Sequence, residues 1–467
     1  MELAFAPAVE QARLVRNGEV SPVELVETYL ERIGRLDPLL NSYVTVCGEE
    51  ALAEAREDEA AAAHERELLP PFHGVPISIK DLNEVAGVRT TFSSRAFADN
   101  VPEFDGATVR RLRSAGFIVL GKTNTPEFGT IPLTHSELNG ICRNPWAPDR
   151  TPGGSSGGAA SALGAGLCGI AHGSDGGGSI RIPASCCGLF GIKPSRGRVS
   201  RAPYGDLNGL STSGPLSRTV ADAAAFLDIV QGYEAGDPYP APPPQRPYAD
   251  EVGAEPGRLR IAWTAEPPVD VPVDAACRAA VEDAAGLLAE LGHEVEEQAP
   301  PWRNPELDEL FMILWQPIPA ISGVIDRSLL TPLNRALAEA SLGTSSPQYL
   351  VALARLQTYA RQVVRFWDDV DLVLTPTLAL PPVPVGWLDE EPEPLDGFRK
   401  AIRFTPFTPA VNLTGQPAVS LPLGWADDGL PIGVQLIGAP LEEDVLFRVS
   451  AQVEAARPWA DRRPPVT

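Results

Sequence analysis

Twice in this 467-residue chain a helical pattern runs through a glycine straight into a short strand-like run. Ala107 to Ser114 leads through Gly116 into Phe117-Ile118-Val119-Leu120, and Asp274 to Leu291 leads through Gly292 into His293-Glu294-Val295. Each change of period marks an amphipathic helix handing over to a half- or fully buried strand. Such alternation predicts an α/β architecture, with helices covering a sheet. Further helices are expected after Ser21-Pro22-Val23-Glu24, which reads as a capping box with Pro at the first helical position, and over Pro347 to Trp367. The Pro-rich segment from Gly236 to Pro247 and the acidic, Pro-rich one from Pro381 to Pro394 read as surface connections.

The proportions of 44% hydrophobic and 21% charged residues are those of a folded globular chain. A net charge of −23 argues against wrapping nucleic acid or docking on an anionic membrane, both of which need clustered Lys and Arg. The first twenty residues lack a basic segment followed by an apolar core, so no secretory signal is read there. The longest nearly apolar stretch, Gly157 to Ala171, is about 15 residues of mostly Ala and Gly, too short for a membrane span. The six cysteines (Cys47, Cys142, Cys168, Cys186, Cys187 and Cys277) show no metal-ligand spacing. Buried thiols in a cytoplasmic protein, with no metal, are the expectation.

Three nominal motifs fail on context. Gly116 to Thr123 matches the P-loop letter for letter, but its central residues are a hydrophobic strand and Pro126 follows where a helix should begin. Gly164-Ala-Gly166-Leu-Cys-Gly169 matches the dinucleotide fingerprint, yet it closes a helix instead of following a strand. Gly153-Gly-Ser155-Ser-Gly157 fits the nucleophile elbow, but Arg150-Thr151-Pro152 precedes it in place of a strand. Only His172 and His293 lie downstream, so a Ser–His mechanism is not expected.

Three segments in a region rich in Gly and Ser remain. Lys80 is one of four lysines and ends the alternating run Val75-Pro-Ile77-Ser-Ile79-Lys80. A lysine buried there would be driven towards its neutral form and could serve as a base. It could equally be a snorkelling side chain paired with Asp81. Ser155 and Ser156 follow two glycines at the start of a helix-like run. Finally, Asp175-Gly176-Gly177-Gly178-Ser179-Ile-Arg181 can form a sharp turn whose N–H groups converge as in an oxyanion hole, or a tight turn that only serves packing.

Together these segments resemble the amidase-signature family of serine hydrolases: G-V-P-x-x-x-K-D, P-G-G-S-S-G-G and S-D-x-G-G-S-I-R-x-P-A, with Ser155 and Ser179 24 residues apart. Further similar landmarks are Gly121-Lys-Thr-Asn124, Asn144-Pro-Trp146, Gly188 to Pro194, Thr212 to Pro215, Leu374 to Thr377, Asn412 to Pro417 and Leu430 to Gln435. The resemblance implies one amidase-signature domain over 1–467, a large mixed β-sheet with helices on both faces. Its signature core would span about 70–220 and its variable pocket region about 236–400.

It further implies a catalytic triad of Ser179 as nucleophile, Ser155 as proton relay after a cis peptide from Gly154, and Lys80 as base. The N–H groups of Gly176, Gly177, Gly178 and Ser179 would form the oxyanion hole, supported by Ser156, Asp175 and Arg181. No cofactor is implied. The expected partner is a small-molecule amide, and the expected assembly a homodimer. Gly176 departs from the commoner pattern, in which a larger residue stands there, and its small size is expected to widen the acyl pocket. The run Ser174 to Gly188 resembles the branch that includes the 6-aminohexanoate cyclic-dimer hydrolase. Phe311 to Val324 and the 381–394 segment are expected to line the pocket. Two rival readings share these motifs: the A subunit of a tRNA-dependent amidotransferase, and a catalytically silent binding protein.

Overall fold

Both helix–glycine–strand units are present in the computed structural model, which describes residues 2–62, 68–205 and 208–467. Helix Ala107–Ser114 runs into a strand at Phe117–Thr123, and helix Ala275–Glu290, capped by the Asp274 side chain on Ala276 N, runs into one at Glu294–Glu297. The helix at Pro22–Leu40 begins where Ser21 Oγ accepts from Glu24 N at 3.1 Å. Helix Ser346–Val364 carries a full capping box between Ser345 and Gln348, a start signal beyond those expected from the sequence.

The strands are β1 (Tyr43–Val46), β2 (Val75–Lys80), β3 (Phe117–Thr123), β4 (His135–Ser136), β5 (Gly140–Ile141), β6 (Ile170–Asp175), β7 (Phe190–Lys193), β8 (Thr212–Ser217), β9 (Arg260–Trp263), β10 (Glu294–Glu297), β11 (Leu372–Pro376), β12 (Ala418–Trp425) and β13 (Pro431–Gly438). All but the small β4–β5 pair join one 11-stranded sheet in the order β1-β3-β2-β6-β8-β7-β12-β13-β11-β9-β10. The sheet is mixed: β2 runs parallel to β3 and β6, whereas β12 is antiparallel to both β7 and β13.

Alternation along the strands sends apolar side chains to both faces. Phe117 and Val119 of β3 pack with Val75, Ile77 and Ile79 beneath helices Ala8–Asn17 and Ala107–Ser114, in a cluster that continues under helices Val220–Val230 and Ala275–Glu290 farther along the sheet. Ile118 and Leu120 face the other way, into a cluster with Val26, Tyr29 and Ala159 to Leu163. Helices therefore cover the sheet on both sides, the α/β architecture expected. No helix among the described residues is long and apolar enough to cross a membrane.

The parallel strands β2 and β6 end side by side, at Lys80 and Asp175. Helix Gly157–Gly164, buried along its whole length, leads into β6 and starts just after Ser155 and Ser156. Its small residues allow this depth, since a Cβ on Gly158 would sit 2.3 Å from Asn124 N. All three segments singled out in the sequence thus meet beyond the carboxyl ends of neighbouring parallel strands, where open α/β sheets place ligands.

Candidate active site

Lys80 is fully buried, and its Nζ lies 2.8 Å from Ser155 Oγ and 3.1 Å from Ser174 Oγ. Burial pushes its pKa down to about 7, against the weaker upward pull of Asp175. The pairing of Lys80 with Asp81 that the sequence left open does not form. Asp81, next along the chain, points to the other buried lysine, Lys122, at 3.1 Å, and accepts from Thr91 N at 3.0 Å. Lys122 lies in β3, within the nominal P-loop, which is strand over Phe117–Thr123.

The peptide between Gly154 and Ser155 is cis. Ser155 and Ser179 both line the same cavity. Ser156 Oγ donates to Ser174 O at 3.2 Å, which ties the start of helix Gly157–Gly164 to the end of β6. Ser174 was absent from the sequence-derived set, although it holds Lys80 by its hydroxyl. The nearby His172 is buried without a hydrogen bond among the described residues, and burial lowers its pKa to about 3. His293 is occupied by Gln452 at 2.8 Å. Neither histidine takes part in the site.

The turn after β6 is held by a buried network. Arg181 donates to both Asp175 oxygens at 3.0 Å, to Gln435 Oε1 at 2.6 Å and to Asn412 Oδ1 at 2.7 Å. Asn412 Nδ2 returns to Asp175 Oδ1 at 2.9 Å and to Leu210 O at 3.0 Å. Burial alone would raise the Asp175 pKa, but Arg181, with Lys193 and Asn412, outweighs it and holds the group at about 2. Asn412 and Gln435 belong to landmarks noted in the sequence, but nothing local in the sequence assigned them to Asp175. Arg181→Met would leave that carboxylate charged, buried and short of its main partner. The expected cost is about 3–5 kcal/mol of unfolding free energy, measured by urea denaturation.

One expected donor is spent elsewhere. Gly178 N–H donates to Asp175 Oδ1 at 2.7 Å, so it cannot also point at a substrate oxygen. The N–H groups of Gly176, Gly177 and Ser179 carry no hydrogen bond among the described residues. Gly178 instead makes room for a neighbour. At φ +127°, a Cβ there would lie 2.2 Å from Thr408 Oγ1, which itself donates to Gly177 O at 2.8 Å. Close packing of Thr408 onto the turn therefore requires glycine.

Two cavities meet at Ser179. The first, of about 750 Å³, is walled mainly by apolar residues, including Ile131, Ile182, Phe311, Trp315 and Leu413. The second, of about 1150 Å³, is the more polar of the two; Ser155, Ser174, Asn83, Glu84 and Asn208 line it beside Leu82, Ile318 and Ile321. Gly177 borders the first and Gly176 the second, while Trp315 stands between them.

Two expectations about the pocket need correction. The room left by Gly176 is filled: a Cβ there would lie 2.7 Å from Ser211 Oγ and 3.3 Å from the Trp315 ring, so the pocket is not widened at that point. Phe311 and Trp315 do line the site, but the 381–394 segment is not among the lining residues. It is pinned to the Asp149–Thr151 stretch instead, by Thr151 N to Val383 O at 2.9 Å and Val385 N to Asp149 O at 3.0 Å. The residues just after it, Phe398 to Leu413, supply that wall.

The Amidase family model matches residues 24–447. The chain is 38% identical over 486 residues to the 6-aminohexanoate-cyclic-dimer hydrolase of Paenarthrobacter ureafaciens, covering 98% of this chain and 96% of that one. It is 34% identical over 486 residues to an acylamidase of Rhodococcus erythropolis, covering 99% and 98%. The solved structure of a 6-aminohexanoate cyclic dimer hydrolase superposes with a TM-score of 0.92 at 35% identity, covering 99% of both chains. The chain belongs to the amidase-signature family. It is an amidase that hydrolyses the C–N bond of small-molecule carboxamides.

Proposed function

We propose that Ser179 is the nucleophile of this amidase, Ser155 its proton relay and Lys80 the base. The observation that carries this reading is a buried amine with a pKa near 7 lying 2.8 Å from Ser155 Oγ, with Ser179 on the same cavity. In this reading neutral Lys80 draws the proton from Ser155, and Ser155 takes the proton of Ser179 as Ser179 Oγ bonds to the carbonyl carbon. The resulting oxyanion faces the free N–H groups of Gly176, Gly177 and Ser179. Ser155 then protonates the nitrogen, the C–N bond breaks and the amine leaves. Water, activated by the same relay, attacks the ester carbonyl and releases the acid.

Ser155 lines the polar cavity and is not among the described lining residues of the apolar one. The nitrogen that receives its proton therefore belongs on the polar side, and the acyl group in the apolar cavity. This favours hydrophobic linear or cyclic amides, and the relatives named for an acylamidase and for a cyclic-dimer hydrolase support that range. The apolar cavity has no Lys or Arg among its described lining residues to meet the carboxylate of glutamine, which weighs against the amidotransferase reading.

Amine release from a panel of aliphatic, aryl and cyclic amides, with glutamine included, tests the reading. Turnover of the apolar amides supports it, and turnover of glutamine alone would turn the assignment towards the amidotransferase. The six buried, unpaired thiols fit a cytoplasmic location, and a net charge of −23 weighs against nucleic acid as a partner. Light scattering would check the homodimer that the family suggests.

A further inference from the structure

Among the described residues lining the apolar cavity, one carries a charge, and it is Asp308. It lies on helix Leu307–Trp315, which forms one wall of the cavity. Asp308, Phe311 and Trp315 stand three and four residues apart, so they share one face of that helix. Phe311 and Trp315 are stacked with ring centroids 5.1 Å apart, and Trp315 is fixed by its Nε1 donating to Thr130 O at 3.0 Å. The pair sits over the catalytic turn: a Cβ on Gly176 would be 3.3 Å from Trp315, and one on Gly177 3.6 Å from Phe311. From Trp315 back to Asp308 the helix rises about 10 Å. The wall thus leads from the reacting carbonyl along two aromatic rings to a carboxylate.

That carboxylate has no hydrogen bond or ion pair among the described residues. The cation that acts on it, Arg399, is bound to Asp396 at 2.9 Å and is more than half exposed. Burial raises the Asp308 pKa above 3.8 against the opposing pull of Arg399, as expected for an unpaired acid at an apolar wall. A carboxylate in the first turn of a helix also favours the helix itself. That role alone would leave ligand choice unaffected.

We infer that Asp308 is a specificity-determining residue that selects acyl groups with an apolar body and a far end bearing an ammonium or another cation. The inference rests on the proposed placing of the acyl group in the apolar cavity. An ω-aminoacyl chain of medium length would lie along Phe311 and Trp315 and give Asp308 the counter-charge it lacks.

The test compares n-alkanoyl anilides of four to ten carbons with their ω-amino counterparts, on wild type, Asp308→Asn and Asp308→Glu. At the best chain length, wild type is expected to favour the ω-amino substrate by at least tenfold in kcat/KM. The preference should fall below about twofold in Asp308→Asn and be largely kept in Asp308→Glu. Equal use of the two series by wild type overturns the inference, as does a preference that survives in Asp308→Asn. Calorimetric binding of the corresponding free amides to Ser179→Ala, with and without Asp308→Asn, separates the two readings. Discrimination in binding without any turnover would sink the catalytic assignment and uphold Asp308. Turnover without discrimination would do the reverse, and binding of neither series overturns the role of Asp308.

Discussion

Ser179→Ala is expected to lower amide turnover by roughly 10⁴- to 10⁶-fold while leaving the thermal midpoint nearly unchanged. The size of the loss follows from chemistry. Ser179 Oγ is the atom that would bond to the carbonyl carbon, and it belongs to the turn that carries the free N–H groups. Ser155, which lines the same cavity, is held by Lys80 at 2.8 Å. The small effect on stability follows from packing. The Ser179 side chain faces the cavities and makes no hydrogen bond among the described residues, so alanine leaves no partner stranded. Steady-state release of amine, with calorimetry or circular dichroism as the folding control, checks both halves. A variant within tenfold of wild type would remove Ser179 from the mechanism.

The second large effect concerns Lys80. A base must be unprotonated to act, and burial sets this amine near pH 7. Below that value kcat/KM should fall about tenfold per pH unit, and above it the profile should level. Lys80→Met should lower turnover by at least 10³-fold and abolish that limb. Lys193 is also buried with a pKa of about 7, but its Nζ donates to Pro194 O at 2.8 Å and touches no serine of the site. Lys193→Met should therefore keep the acidic limb. If the limb followed Lys193 instead, the assignment of the base would fail.

Stability carries the same signature with a definite sign. Between about pH 7 and the ordinary lysine value of 10.5 the unfolded chain holds protons that the folded chain has released, so stability should rise with pH across that window. Below pH 7 the burial penalty is present in full. Lys80→Met should remove only its own share of the slope, since Lys193 contributes in the same direction. Urea denaturation from pH 6 to 10 measures it.

Much of the site was legible because the groups concerned are close in sequence and chemically unusual. A lysine ending an alternating apolar strand is rare enough to notice. A run of glycines before Ser179 permits a sharp turn that bulkier residues would disfavour. Local pattern also revealed the helix–strand units, because the change from period 3.6 to period 2 is a property of adjacent residues. Side-chain partners were less accessible. Asp81 sits next to Lys80 in the chain, yet β2 ends at Lys80, and the partner of Asp81 is Lys122 on β3.

The sequence by itself determined the α/β class and marked the three segments that carry Lys80, Ser155 and Ser179. Only the tertiary structure decided which N–H groups stay free, because Gly178 is spent on Asp175, and what fills the space beside Gly176, because Trp315 arrives from a helix more than a hundred residues away. It also decided that Asn412 and Gln435 anchor Arg181 and that Asp308 lines the apolar cavity bordered by Ser179. The physical reason is common to all of these. Backbone periodicity is written in neighbouring residues, whereas hydrogen-bond satisfaction and cavity shape depend on groups that meet only when the sheet closes its order and brings distant helices onto one edge.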